Sequence, residues 1–516
     1  MYPGKYAEQY PDKPAIIMAS SGEVLTYRDY EAHCNRLAHL LRERGLQRLA
    51  HYAVFMENNI RYMECCGAGE RAGYYYTCVN SYLTKEELTY ILNNSESQVL
   101  ITSQSRREVA LSALADCPNV SLCIVVDGPG EGGKVVNLDE ATAHCPDTPI
   151  ADECLGAAML YSSGTTGKPK GILNPLPQTT PEDIFPVYRA VSKLWRHREG
   201  MTLLLPAPLY HSAPHAALNF TTRVGGTTIV MESFDAELYL VSIQKYNVTH
   251  SQLVPTMFWR MLKLPQEVRN QYDVSSLQVV VHGAAPCPVP VKQQMIDWWG
   301  PVIYEYYAAT EAQGMAFCDS EEWLAHPGTV GKAAFGEVTI LDDDMLPCPA
   351  GEPGKVWFVN VREFEYFNDA ERTAEAYSAD CKLSTVGDMG YLDEEGYLYL
   401  TDRATFMIVS GGVNIYPQEC ENLLITHPKV LDAAVFGVPN EEFGEEVKAV
   451  VQIAPTESPE AELANELMAF CRDHLAAMKC PRSIDFVEEL PRLPTGKLYK
   501  RALRDRYWAD RKSRIL

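Results

Sequence analysis

The chain has 516 residues, of which 46% are apolar and 22% charged, an ordinary globular composition in a length too great for one hydrophobic core. A formal net charge of −23 excludes nucleic acid or an anionic membrane surface as the main partner, while leaving room for one local basic pocket that holds a phosphate. No run of about 20 apolar residues occurs, so no spanning helix is expected, and the opening MYPGKYAEQYPDKPAIIM lacks a basic region followed by an apolar one.

In chain order, SGEVLTYRDYEAHCNRLAHLLRERGL reads as a turn, a short strand and a helix with Leu37, Leu40 and Leu41 at helical spacing. SQVLITS and SLCIVVD are strand-like runs with a helical segment between them, and this alternation predicts a mostly parallel sheet in an α/β domain. GPGEGGK resembles a dinucleotide glycine fingerprint, but a proline interrupts it and no helix follows, so a surface turn is predicted. MTLLLPAPL and GGTTIVM read as strands, SFDAELYLVSIQKYNVTH as a helix capped by Ser233 or Asp235, and SQLVP as a strand. LQVVVHGAAP and PVIYEYYAATE each read as a strand running into a turn. Past Leu400 the pattern changes, and from Pro417 onward it suits a compact strand-and-helix unit, with the boundary expected at Asp402 to Phe406. The 15 cysteines are odd in number and scattered, with neither a zinc spacing nor a disulfide framework, which suggests reduced thiols in a cytoplasmic protein.

The stretch YSSGTTGKPKG, Tyr161 to Gly171, is rich in glycine, hydroxyls and lysine between two hydrophobic runs. It is not a Walker loop: Ser162 stands where the first glycine should be, and Pro169 follows Lys168 where a magnesium-binding hydroxyl is needed. Its chemistry still suits a phosphate. Gly164 and Gly167 allow backbone N–H groups to converge, Ser162, Ser163, Thr165 and Thr166 add hydroxyl donors, and Lys168 adds charge. A plain surface turn is the alternative on this loop alone.

The loop resembles the signature of the adenylate-forming superfamily, which contains acyl-CoA synthetases, adenylation domains of peptide synthetases, and luciferases. LPAPLYHSAP resembles its aromatic-His segment, HGAAP its adenine-side turn, and YEYYAATE its Tyr-x-x-Thr-Glu motif. STVGDMGYLDEEGYLYLTDR resembles its ribose and hinge motif, SGGVNIYPQECE the start of its small domain, and LPRLPTGKLYKR its C-terminal lysine motif. The resemblance implies a large N-terminal domain, 1–402, of parallel-sheet α/β subdomains plus a β-barrel-like part, a hinge at 403–406, and a small mobile α+β domain, 407–516. It implies an AMP-forming acid–thiol ligase of the acyl-CoA synthetase branch, using ATP, Mg²⁺ and coenzyme A, with a homodimer left open.

The resemblance assigns roles by position. Glu311 binds Mg²⁺, Thr310 contacts the α-phosphate, Tyr307 stacks on adenine, and Gly283, Ala284 and Ala285 line the other side of the purine. Asp388 accepts hydrogen bonds from the ribose, Arg403 approaches the ribose or a phosphate, and Lys497 bridges the carboxylate and α-phosphate oxygens during adenylation. His211 gates the carboxylate site, and Gly411 and Gly412 leave room for the pantetheine arm. Lys500 and Arg501 are surface charges or contacts to CoA phosphates. The chain has Thr405 and Tyr306 where, by the resemblance, family members usually carry Asp or Lys and many carry a small residue, respectively.

No carboxylate occupies the aromatic-His segment, so an amino acid substrate is disfavoured. Ala308 leaves the acyl pocket open, while Tyr210, Tyr306 and Met315 make it apolar and shaped. The expected acid is hydrophobic: a medium- or long-chain fatty acid, an aromatic acid, or a polycyclic terpenoid or steroid acid. Alternatives are an enzyme that loads a carrier protein and a non-catalytic ATP-binding regulator on the same fold; light emission is a remote third.

Overall fold

The structure, a computed structural model, describes residues 2–162, 169–183, 186–359, 363–403, 406–410, 413–440, 443–454, 457–492 and 498–508. Two large sheets build most of the N-terminal part. One is wholly parallel, in the order Val135–Asn137, Leu122–Val125, Val99–Thr102, His51–Phe55, Tyr75–Val79, Ala157–Ala158. SQVLITS and SLCIVVD are neighbours in it, as their alternation with a helix predicts. The other has nine strands: Thr202–Leu205, Thr227–Val230, His250–Leu253, Val279–His282 and Ile303–Ala308 form its parallel centre together with Pro14–Met18. Antiparallel strands close both of its edges.

The central strands are near-continuous apolar runs because helices cover the faces. Thr26 caps the helix Tyr27–Glu43 by accepting from the Asp29 N–H, and its buried stripe includes Leu37, Leu40 and Leu41. Of Ser233 and Asp235, Asp235 is the cap: it accepts from Leu238 N at 2.7 Å, and Asn247 ends that helix in the left-handed conformation at φ 48°. GPGEGGK forms a turn in which Gly132 and Gly133 have φ of 80° and 61°.

The helix Tyr62–Ala72 is buried along its whole length and carries charges inward. Each has a partner: Glu64 with Arg61 and with His33 at 2.8 Å, Arg71 with Glu31, and Glu70 with Arg223 at 2.8 Å. Removing one partner of such a pair would leave the other charge buried and uncompensated, which is strongly destabilising.

The expected barrel-like part is an antiparallel sheet of five strands, built around Gly354–Val359, Asp388–Leu392 and Leu398–Arg403. A further small sheet joins Glu365–Tyr366, Lys170–Leu173 and Leu160–Ser162. The C-terminal part is α+β. Ile408–Ser410, Val413–Ile415, Val430–Asn440, Gly444–Ile453 and Ser483–Val487 make its sheet, and the helices Pro417–Leu424 and Ala461–His474 share its core. It touches the N-terminal part where Trp259 Nε1 donates to the Leu431 carbonyl at 2.9 Å. Among the described residues, no helix is long and apolar enough to cross a membrane.

Candidate active site

Alternation along Ile303–Ala308 creates two distinct faces, because successive side chains of a strand point to opposite sides. Tyr306 is 8% exposed and lies in the same core as Met315 and Trp195, its ring 5.5 Å from the Trp195 ring. Ala308 stands directly opposite Met315 in the antiparallel ladder, so Tyr306, Ala308 and Met315 share one apolar face. Tyr307 points the other way, packs with Ala316 and Phe358, and donates its hydroxyl to Asp388 Oδ2 at 2.7 Å. Asp388 begins its strand as the register partner of Arg403, whose side chain is outside the described residues.

The turn after Val279–His282 is shaped by Tyr306. A Cβ on Gly283 would lie 2.7 Å from Tyr306 Cε1 and 2.9 Å from the Tyr306 carbonyl oxygen, so any side chain there would displace the strand or its tyrosine. Ala284 follows with φ 68°, and Ala312, next to Glu311, has φ 57°. Left-handed backbone at a residue with a Cβ costs roughly 1–2 kcal/mol, and such positions concentrate where a site constrains the chain. Ala285 and Thr310 are half-buried beside these turns.

Glu311 is buried and accepts from the Tyr366 hydroxyl at 2.8 Å. Tyr366 pairs with Ile172 in the small sheet, and Ser162 pairs with Lys170 there. The two strands that flank the glycine loop are thereby tied to Glu311 through one tyrosine. Lys170 Nζ lies 4.5 Å from the centre of the Tyr366 ring. Burial pushes the Lys170 ammonium below its ordinary range and Arg372 pushes the same way, while Glu311 opposes them.

Tyr210 and His211 precede the helix Ser212–Arg223, with their rings 4.3 Å apart and His211 at the N-cap in extended backbone. The Tyr210 hydroxyl is buried without a hydrogen-bond partner among the described residues, and burial pushes its phenol well above the usual range. Ser163, Gly164, Thr165, Thr166, Gly167, Lys168, Gly411, Gly412 and Lys497 lie outside the described residues.

Two neighbours of the site went unnoticed in the sequence. Tyr366 sits in EFEYFND, which has no motif character, and meets Glu311 only through folding. Trp195 meets Tyr306 in the same way. One expectation is overturned: Lys500 is neither a surface charge nor open to CoA, but is buried 2.8 Å from Glu421 because its helix packs on the C-terminal sheet. Its Nζ lies 5.4 Å from the centre of the Phe406 ring. Arg501 forms an exposed pair with Asp505.

Residues 5–361 match the family model described as AMP-binding enzyme, and residues 419–497 match AMP-binding enzyme C-terminal domain. The chain is 31% identical to the long-chain-fatty-acid–CoA ligase FadD13 of Mycobacterium tuberculosis, over 97% of this chain and 96% of that protein. It is also 31% identical to a feruloyl-CoA synthase of Amycolatopsis sp., over 98% of each. The crystal structure of the anthranilate CoA ligase AuaEII in complex with anthranoyl-AMP superposes with a TM-score of 0.84, covering 99% of this chain and 98% of that one at 24% identity. With both family models matched in order and relatives aligned along nearly the whole length, the chain belongs to the AMP-binding enzyme family and is an AMP-forming acid–CoA ligase.

Proposed function

We propose that the chain activates a hydrophobic carboxylic acid with ATP and passes the acyl group to CoA, the acid being a medium- or long-chain fatty, aromatic, or polycyclic terpenoid or steroid acid. The observation that carries this reading is the strand Ile303–Ala308, whose apolar face of Tyr306, Ala308 and Met315 lies back to back with the Tyr307–Asp388 pair. A hydrophobic acyl group and a nucleoside can be held on opposite sides of one strand. Relatives that act on a long-chain fatty acid and on ferulate support an apolar acid without choosing between chain and ring.

In the first half-reaction the acid's carboxylate oxygen attacks the α-phosphorus of ATP and pyrophosphate leaves. In the second, the CoA thiol loses its proton, its sulfur attacks the acyl carbonyl, and AMP leaves. Ser162 to Lys168 grip the phosphates, Thr310 contacts the α-phosphate, and Lys497 offsets negative charge as it develops during adenylation. Tyr307 stacks on adenine against Gly283, Ala284 and Ala285. Asp388 accepts from the ribose hydroxyls, with Arg403 beside it. His211 gates the carboxylate, next to Tyr210. Gly411 and Gly412 clear a path for pantetheine.

Mg²⁺ fits Glu311, a buried carboxylate that one Tyr366 hydroxyl orients while leaving oxygen lone pairs for an ion that also takes phosphate ligands. When bound, the ion neutralises charge on the phosphates. The domains divide as 1–402 and 407–516 about a hinge at 403–406. Support comes from sheet membership: Leu398–Arg403 belongs to the N-terminal antiparallel sheet and Ile408–Ser410 to the C-terminal one. A cytoplasmic location suits an enzyme that consumes ATP and CoA and has 15 free cysteines.

The test is CoA-dependent AMP release over a panel of carboxylic acids. Apolar acids should give the highest kcat/KM. Best activity on amino acids or short dicarboxylates would overturn the substrate class.

A further inference from the structure

Cys66, Cys78 and His215 come from three different elements: the helix Tyr62–Ala72, the strand Tyr75–Val79 and the helix Ser212–Arg223. Their separation in sequence shows no zinc spacing. Folding brings the two sulfurs to 3.8 Å, and both sulfurs and an imidazole nitrogen lie within 4.8 Å of one another. All three side chains are buried.

The neighbours fix which imidazole nitrogen is available. Tyr76 is 2.9 Å from Glu70 Oε1, and a carboxylate only accepts, so the Tyr76 hydroxyl proton goes to Glu70. The Tyr76 oxygen is also 2.9 Å from His215 Nε2 and therefore accepts from it. Nε2 carries the ring proton and Nδ1 the lone pair. His215 Nδ1 is buried with no hydrogen-bond partner among the described residues. Glu70 also pairs with the Arg223 guanidinium at 2.8 Å, so the relay rests on a carboxylate.

The geometry points to a binding site for a thiophilic divalent cation, zinc by chemistry, held by Cys66 Sγ, Cys78 Sγ and His215 Nδ1. Tetrahedral coordination with metal–sulfur bonds of about 2.3 Å separates two sulfurs by about 3.8 Å, which is the separation already present. Binding converts M²⁺, two thiols and one neutral imidazole into a neutral complex and releases two protons to solvent, so no net charge is buried. The Glu70–Tyr76–His215 relay is the outer support that metal-bound histidines ordinarily have. A fourth position is left for water. The cation would pin the helix that follows Tyr210 and His211 to the parallel sheet, and it is separate from the Mg²⁺ expected at Glu311.

The experiment uses the untagged full-length chain, purified reduced and without chelator, in elemental analysis and then refolded with Co²⁺ for absorption spectroscopy. The wild type should hold about one zinc per chain, and its cobalt form should show thiolate-to-metal charge transfer with tetrahedral d–d bands. Cys66→Ser with Cys78→Ser should lose both signals, Cys381→Ser at an exposed position should keep them, and Tyr76→Phe should weaken binding about 10-fold or more. If the double variant does not fold, the wild-type cobalt spectrum decides alone. Absence of the charge-transfer band, metal retained in a folded double variant, or a Cys66–Cys78 disulfide in the purified chain would each overturn the site. None of these readouts depends on the acid used or on ligase activity.

Discussion

The Tyr307 hydroxyl donates to the Asp388 carboxylate at 2.7 Å, joining two strands of different sheets across 81 residues of sequence. If Asp388 accepts from the ribose, Asp388→Asn swaps two of those bonds for weaker ones. Hydrogen bonds to charged groups contribute about 1.5–3 kcal/mol, so kcat/KM for ATP should fall about 10–100-fold, mostly through KM. Tyr307→Phe keeps the ring and should lose less. Steady-state kinetics with ATP varied checks both, and an unchanged KM in Asp388→Asn would remove the ribose role.

Glu311 and Tyr366 make a second linked pair. Glu311→Gln keeps the shape and removes the charge, so activity should drop and partly recover at high Mg²⁺. Tyr366→Phe leaves the carboxylate but frees its orientation, and should show a smaller drop with a raised Mg²⁺ requirement. A magnesium titration of each variant is the measurement, and curves that overlay the wild type would move the ion elsewhere.

Much of this was legible in the residues, for reasons that differ by element. The parallel strands could be read because they are buried on both faces and appear as unbroken apolar runs, as in VLIT and LCIV. Glu311 and Asp388 stand out as candidates because they sit in contiguous motifs. Tyr366 could not: its strand has two residues, and its meeting with Glu311 depends on pairing with Lys170–Leu173. Lys500 reads in the sequence as a surface charge or a CoA-phosphate contact because nothing local shows that Glu421 lies beneath it. The cluster of Cys66, Cys78 and His215 was equally silent, since its ligands come from three separate elements.

Stability should fall with acid through buried histidines. Burial, helped by Arg198, lowers His250 to about 4, and burial with the Lys292 charge holds His282 well below the ordinary 6.5. These are depressed values in the folded state. The stabilisation is therefore complete above pH 6.5 and declines below it, where the unfolded chain binds protons that the folded chain refuses until about pH 4 for His250. Each such histidine contributes up to about 1.4 kcal/mol per pH unit in that window. Denaturant midpoints at pH 7 and pH 5.5 should differ, and His250→Gln, where it folds, should reduce the difference. Equal midpoints would mean that the imidazoles are reached by water.

Lys497 is assigned to one half-reaction only. Lys497→Ala should lose acyl-AMP formation by on the order of 10²-fold or more, yet still transfer the acyl group from supplied acyl-AMP to CoA. Pyrophosphate release and thioester formation, measured separately, report the two steps. Equal losses in both would sink the assignment.

The last prediction concerns the acid. Tyr306 lies 5.5 Å from Trp195, with Gly283 closing in on its ring from the neighbouring strand end. Ala308, a small residue, stands opposite Met315 on the same face. If this face meets the acyl group, a buried ring beside a small residue favours broad or medium-length acids over long straight chains. Tyr306→Gly should therefore shift the profile of kcat/KM toward longer fatty acids. The lost ring would leave a cavity costing about 3–5 kcal/mol if nothing relaxes, so thermal unfolding must be measured first. Tyr306→Leu is the milder companion, because it keeps apolar volume and removes only the flat ring. Both folded variants should gain on long chains and lose on bulky rings. A wild type already fastest on palmitate, with neither variant altering the chain-length profile, would show that Tyr306 packs only against Trp195 and never meets the substrate.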